Sequence, residues 1–368
     1  MSLLIFGNIQ GFFYMNINLT LGALPFKIKS TFMKHYIIVV FSIFFIFLLS
    51  GCNKKSTQGP NNSDSKSNQS ADKLILGFSQ IGSESAWRTR NTQSIFEAAA
   101  ENDIQILFDD AQQKQANQLK AIRSFIVYQV DVIAFVPIVS DGWDNVLQEA
   151  KDAGIPVILV DREIDSDPSL YAGFLGENGF EEGFAAANFL VNKCKNRKSD
   201  INIVEFSGTE NSSIATQRAQ GFRNVIKNYE KFKIIHSEDG DFLRSRGKEM
   251  MDRIIKENGG LRLKGSPIDV IYSHNDSMTL GLLDSLHNNN INPRSTIIIS
   301  IDAEQKSIDA LVNGELNCVV ECNPNSGPTL MKLVQRIAKG EQIPRTTYML
   351  DNIFTETDDF STYTPRGY

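Results

Sequence analysis

Short apolar runs alternate with stretches of helical spacing along most of this chain. Residues 74–78, 104–108, 132–136 and 157–160 read as strands. Between them, 90–102, 115–128 and 143–153 repeat apolar positions at three- and four-residue intervals, which predicts amphipathic helices. The pattern then begins again. Residues 201–206, 232–236, 270–273 and 296–301 are strand-like, separated by helices around 217–229, 246–258 and 278–288. Such alternation marks an α/β architecture with parallel sheets. Two rounds of it, in a chain of 368 residues that exceeds the size at which one core stops growing, predict two Rossmann-like lobes. A last helix at 305–313, strand at 317–320 and helix at 329–339 are too few for a third domain. They must complete the lobes already begun, so the chain crosses between them more than once and a hinge is expected. The lobes are drawn as 73–176 with 302–322, and 177–301 with 323–368.

Upstream the pattern changes. Residues 36–49 are almost purely apolar, follow Lys34 and end in Leu49-Ser50-Gly51-Cys52. That stretch is short for a membrane span and suits a signal-peptide core. A branched apolar residue three positions before a cysteine, with small residues beside the cleaved bond, resembles the bacterial lipobox. This predicts a signal peptide over 1–51, with Met33 as an alternative start, and a lipid on Cys52. Residues 53–72 carry almost no apolar side chain. They cannot offset their ordering entropy and form a tether with a reach of about 25 Å.

Charge and cysteines narrow the function. Removing the three leader lysines Lys27, Lys29 and Lys34 from the formal charge of −6 leaves a body near −9, which excludes a nucleic-acid partner. With Cys52 lipidated, Cys194, Cys318 and Cys322 remain, an odd number. Cys318 and Cys322 lie about 13 Å apart along a strand, too far to bridge, and have no histidine near them in sequence, so they read as small buried residues rather than metal ligands. No G-x-S-x-G elbow or metal-type histidine spacing appears. Gly173, Gly176 and Gly179 lack the spacing and helix-opening context of a dinucleotide loop. No cofactor is expected, and catalysis is not.

Binding chemistry gathers instead at strand ends. The run 157–160 is apolar without interruption, as in a strand buried on both faces, and ends in Asp161 and Arg162. In open α/β sheets that edge faces the ligand crevice. Trp87 and Arg88 close a polar loop after the first strand, and Trp87 offers a face for stacking on a sugar. Phe242 occupies a similar loop in the second round. Asn275, Asp302 and Glu321 follow later strands, and Arg218 lies early on a helix. Carboxylates accept while guanidinium groups and amides donate, so together they satisfy hydroxyls in fixed directions. Asp302 and Glu321 could be read as a glycosidase pair, but arginines nearby should keep them ionised acceptors.

The motifs Gly77-Phe78-Ser79-Gln80, Gly82-Ser83-Glu84-Ser85, Trp87-Arg88, Gly142-Trp143, Asp161-Arg162, Gly240-Asp241-Phe242, His274-Asn275-Asp276, Ser300-Ile301-Asp302 and Asn323-Pro324 resemble, in order, the substrate-binding proteins of bacterial ABC sugar importers. The likeness is to the ribose and galactose type, nearest its galactofuranose-binding branch. It implies a periplasmic binding protein fold of type I, two α/β lobes joined by a three-segment hinge and closing on one sugar. It places sugar contacts on Ser83, Trp87, Arg88, Asp161, Arg162, Arg218, Phe242, Asn275, Asp302 and Glu321. Ala303 departs from the glycine usual there in that family. The implied protein is a monomeric, lipid-anchored, extracytoplasmic carrier of an aldose, furanose or pyranose with galactofuranose first among them, serving the permease of an ABC transporter. The alternative is a sugar-sensing partner of a chemoreceptor or sensor kinase.

Overall fold

The computed structural model describes residues 73–368, so the expected signal peptide, lipidated Cys52 and tether lie outside the described residues. The first round of the pattern forms β1 (Ile75–Gln80), α1 (Ala86–Glu101), β2 (Gln105–Asp110), α2 (Gln115–Val127), β3 (Val132–Phe135), α3 (Asp144–Asp152), β4 (Val157–Val160) and β5 (Gly173–Gly176). The second forms α4 (Gly179–Lys193), β6 (Ile201–Ser207), α5 (Ser213–Ile226), β7 (Phe232–Asp239), α6 (Arg244–Asn258), a small hairpin of β8 (Arg262–Leu263) and β9 (Ser266–Pro267), β10 (Val270–Ser273), α7 (Asp276–Asn288) and β11 (Ile297–Asp302). The chain ends with α8 (Gln305–Val312), β12 (Cys318–Glu321), α9 (Gly327–Ala338), β13 (Thr346–Tyr348) and β14 (Ile353–Thr355).

Two six-stranded sheets result, ordered β13-β5-β4-β3-β1-β2 and β14-β12-β11-β10-β6-β7. The first is parallel throughout; the second is parallel except where β14 runs against β12. Period-two alternation explains why central strands are apolar without a break. In β3, Val132 and Ala134 enter one core while Ile133 and Phe135 enter the core on the other face, and β4 divides in the same way. The second sheet likewise has a core on each face.

The chain crosses between the lobes three times: between β5 and α4, at residues 322–326, and at residues 349–352. The two-lobe architecture with a three-segment hinge is therefore present, but the terminal segments fall the other way from the sequence expectation. β12 pairs with β11 in the second sheet, whereas α9 packs on α1 and β13 pairs with β5 in the first. The cause is connection length. β11, the short α8 and β12 form one parallel crossover unit, which sets consecutive strands side by side in a single sheet. Residues 302–322 thus belong with the second sheet and residues 327–348 with the first.

The region of Gly173, Gly176 and Gly179 needs a second correction. It holds a four-residue strand and then a helix opened by Gly179 and capped by Asn178, whose side chain accepts the N–H of Glu181. Glycine at these positions answers close packing. A Cβ on Gly183 would come 2.1 Å from the Arg218 carbonyl oxygen, and one on Gly221 2.0 Å from that of Phe180. Helices α4 and α5 therefore meet backbone to backbone. Among the described residues no helix is long and apolar enough to cross a membrane, and Cys194, Cys318 and Cys322 are buried free thiols.

Candidate functional site

At the carboxyl ends of the strands, side chains of both lobes line a narrow cavity of about 30 Å³. The first lobe supplies Glu84, Ser85, Trp87 and Arg88 from the β1–α1 turn, and Asp161 and Arg162 from the end of β4. The second supplies Ile214 and Arg218 from α5, Phe242 before α6, Asn275 before α7 and Asp302 from the end of β11; Cys322 comes from the second crossing.

Local chemistry fixes each first-lobe side chain. Ser85 caps α1 by accepting the N–H of Arg88 at 2.9 Å. Arg88 then donates through Nε to Glu84 at 3.0 Å and through Nη2 to Asp161 at 2.8 Å. Arg162 donates to the Ile138 carbonyl at 3.0 Å and lies 5.1 Å from the centre of the Phe242 ring. Trp87 donates its indole N–H to the Cys322 carbonyl at 2.6 Å.

The second lobe is tied more completely. Close packing of α4 on α5 lets Glu182 grip Arg218 at 2.7 and 3.2 Å, while Arg218 also donates to the His274 carbonyl at 2.6 Å and lies 3.8 Å from Asp302. Asn275 caps α7 by accepting the Met278 N–H at 3.0 Å, and donates to the Phe242 carbonyl at 3.2 Å. The Phe242 ring occupies space that a Cβ on Gly208 would invade, at 1.9 Å.

Three buried polar atoms of lining residues have no partner among the described residues: Glu84 Oε2, Arg88 Nη1 and Arg162 Nε. Burial works against the charge of Arg88, yet Asp161 and Glu84 outweigh it and raise its pKa. Arg162 goes the other way, down to about 10, through burial and then the neighbouring Arg88 charge. Asp302 was expected to be held ionised by arginine; burial instead pushes its pKa well up, and the Arg218 charge opposes this without winning. The backbone is strained at the same place. Asp161 (φ 64°), Asp241 (52°), Phe242 (60°), Asp302 (123°) and Ala303 (67°) all have positive φ. Such strain persists only where the surroundings enforce it, and it collects at functional sites.

Eight of the ten sequence-derived residues meet at this cavity. Ser83 does not; it is exposed on the loop before the cap. Glu321 does not either. Its carboxylate accepts from Arg366 at 2.6 Å and from the Asn352 N–H at 3.0 Å, which ties the C-terminal tail to β12 and removes the proposed glycosidase pairing with Asp302. Sequence reasoning missed Glu84, Ser85, Ile214 and Cys322 as lining residues. The first two fall inside the quoted Gly82–Ser85 motif, whereas Ile214 and Cys322 carried no signal beyond being apolar or small. Glu182 was missed because a helix went unread.

Residues 76–342 match the periplasmic binding protein domain family. The chain is 39% identical to the galactofuranose-binding protein YtfQ of Escherichia coli over 74% of this chain and 84% of that protein. A Mycobacterium smegmatis protein crystallised with β-D-fucofuranose is 41% identical, with a TM-score of 0.73 over 77% of this chain and 91% of its own. The binding component of the arabinose ABC transporter of Shewanella sp. ANA-3, bound to α- and β-L-arabinofuranose, is 36% identical, with a TM-score of 0.72 over 77% and 92%. By family match, sequence identity and two-lobed architecture, the chain belongs to the periplasmic binding proteins, a family of binders and not of enzymes.

Proposed function

We propose that this chain binds one monosaccharide as its furanose, galactofuranose first among the candidates, outside the cytoplasm, and delivers it to the permease of an ABC importer. The carrying observation is the cavity itself: unpaired buried atoms on Glu84, Arg88 and Arg162, beside an indole and a phenyl ring, form a mixed donor, acceptor and stacking surface suited to a ring with several hydroxyls. The three relatives named above, which bind galactofuranose, fucofuranose and arabinofuranose, support the ring form. Lipid attachment at Cys52 rests on the Leu49-Ser50-Gly51-Cys52 sequence.

A thermal-shift panel of pentoses and hexoses, including furanose-locked glycosides, tests the reading. A ligand at about 100 times its dissociation constant should stabilise the protein by about 2.7 kcal/mol. Response to pyranose-locked sugars alone would overturn the furanose assignment, and response to none would overturn sugar binding. Contacts made from both lobes favour a closed state, so small-angle scattering should show a smaller radius of gyration with saturating sugar. Cys52→Ser should abolish labelling by radioactive palmitate.

A further inference from the structure

Strain at the end of β11 has a purpose outside the cavity wall. Asp302 reaches the cavity, Ala303 turns the chain with φ 67°, and the next residue, Glu304, extends from the second lobe into the first. Glu304 Oε1 accepts the backbone N–H of Trp87 at 3.1 Å. Trp87 stands in the first turn of α1, where N–H groups have no partner within the helix. Ser85 of the same lobe serves the N–H of Arg88, and Glu304 of the opposite lobe serves that of Trp87. A carboxylate at the positive end of a helix makes a charge-assisted bond, and Glu304 is only 4% exposed.

The base of this contact is also fixed. The Glu304 N–H donates to Asp276 at 2.6 Å, and the next N–H, of Gln305, donates to the Tyr368 carbonyl at 2.7 Å. Trp87 is therefore anchored by its main chain to the second lobe and by its indole to the Cys322 carbonyl of the second crossing, while its own helix packs with the first lobe. Glu304 does not line the cavity. A second cross-lobe set joins Glu163 to Ser213 at 2.8 Å and to Gln217 at 2.5 Å, but those groups are less deeply buried.

We propose that Glu304 is a positioning residue, a helix cap delivered across the cleft that locks the lobes together and holds Trp87 and Arg88 against the sugar. This rests on the sugar-binding reading above. Parting the lobes would separate Glu304 from α1, so its contribution falls on the closed state and governs release rather than entry.

Glu304→Ala and Glu304→Gln in the full chain test it, with equilibrated D-galactose, which contains furanose forms, as the probe. The alanine variant should release sugar about 10-fold faster or more, the range for a lost charge-assisted hydrogen bond, with association little changed and the sugar-free melting temperature near that of the parent. The glutamine variant keeps an acceptor oxygen and should recover most of the lifetime. An unchanged release rate overturns the lock, as does a fall in sugar-free stability matching the loss of affinity, because that marks an ordinary structural bond. If the parent binds no sugar, the functional reading fails and a lock that acts on sugar release fails with it, whereas a parent that binds sugar and releases it no more slowly than Glu304→Ala sinks the lock alone.

Discussion

Each lobe sends arginine into the cavity, and the two lobes hold it in opposite ways. Arg218, from the second lobe, spends its guanidinium on protein: two bonds to Glu182, one to the His274 carbonyl, with Asp302 close by. Arg162, from the first, makes one bond to a carbonyl, leaves Nε unpaired, lies 3.8 Å from the Asp161 carboxylate and has its pKa lowered to about 10. Arg88 stands between these, paired through Nε and Nη2 but with Nη1 unpaired. A satisfied buried guanidinium holds walls together; an unsatisfied one is available to a ligand, since leaving it unpaired costs free energy that a hydroxyl can offset.

The comparison breaks most easily at Arg218. Arg218→Ala strands the buried Glu182 carboxylate, a situation that typically costs about 3–5 kcal/mol. Urea unfolding of the sugar-free protein should show a loss of that order. Unchanged stability would mean that Arg218 is not the scaffold its bonds suggest.

Arg162→Ala should behave in the converse way. It removes a buried donor that the protein barely uses, so sugar affinity should fall about 10- to 150-fold while the sugar-free melting temperature moves little. Asp161→Asn should lower affinity as well, but because Asp161 is also the buried charge partner of Arg88 at 2.8 Å it should cost sugar-free stability too. Calorimetric titration beside thermal melts separates the two outcomes, and a collapse in stability with normal affinity would make Asp161 and Arg162 an ordinary loop pair.

Acidity offers a second comparison, between the start of α7 and the hinge. Asp276 in the second lobe and Asp351 on the third crossing are each pushed from 3.8 up to about 8, by burial first and then by Glu304 and Glu182 respectively. A carboxyl whose folded pKa is raised contributes stability below its unfolded value and loses it as pH rises toward the folded one. Sugar-free stability should therefore fall between about pH 4 and 8, and Asp351→Asn, which keeps an acceptor for the Asn323 N–H, should flatten part of that slope. Stability that rises across the window would contradict the assignment.

How much of this was legible beforehand depended on whether the information was local. Central strands such as Val157–Val160 announce themselves because burial on both faces leaves nothing polar in them. Their ends announce the site, since charge directly after such a run has few structural uses. Helix α4 stayed hidden: Gly179 and Gly183 meet the backbone and side chains of α5, a tertiary reason that mimics a loop signal in sequence. The lobe membership of β12 and β13 was equally invisible, because three-to-four-residue strands do not encode which sheet they join. Glu321 misled for a related reason. It stands at a strand end like Asp302, but the C-terminal tail covers it through Arg366.

The smallest expected effect lies at Ala303, where the family resemblance expects glycine. A non-glycine residue at φ 67° costs roughly 1–2 kcal/mol, so Ala303→Gly relieves strain. It also deletes a methyl group that is fully buried in the second-lobe core, worth about 0.8 kcal/mol, and frees the unfolded chain by roughly another 0.5–1 kcal/mol. These terms nearly cancel, and stability should change by less than about 0.5 kcal/mol. The variant still sharpens the comparison between the lobes, because Ala303 sits between a cavity residue and the cross-cleft cap. A more pliant turn there should hasten sugar release slightly while leaving denaturant unfolding of the sugar-free protein where it was. A stability gain well above 1 kcal/mol would instead show that backbone strain dominates at the end of β11, and that the buried methyl contributes little to holding Asp302 and Glu304 in place.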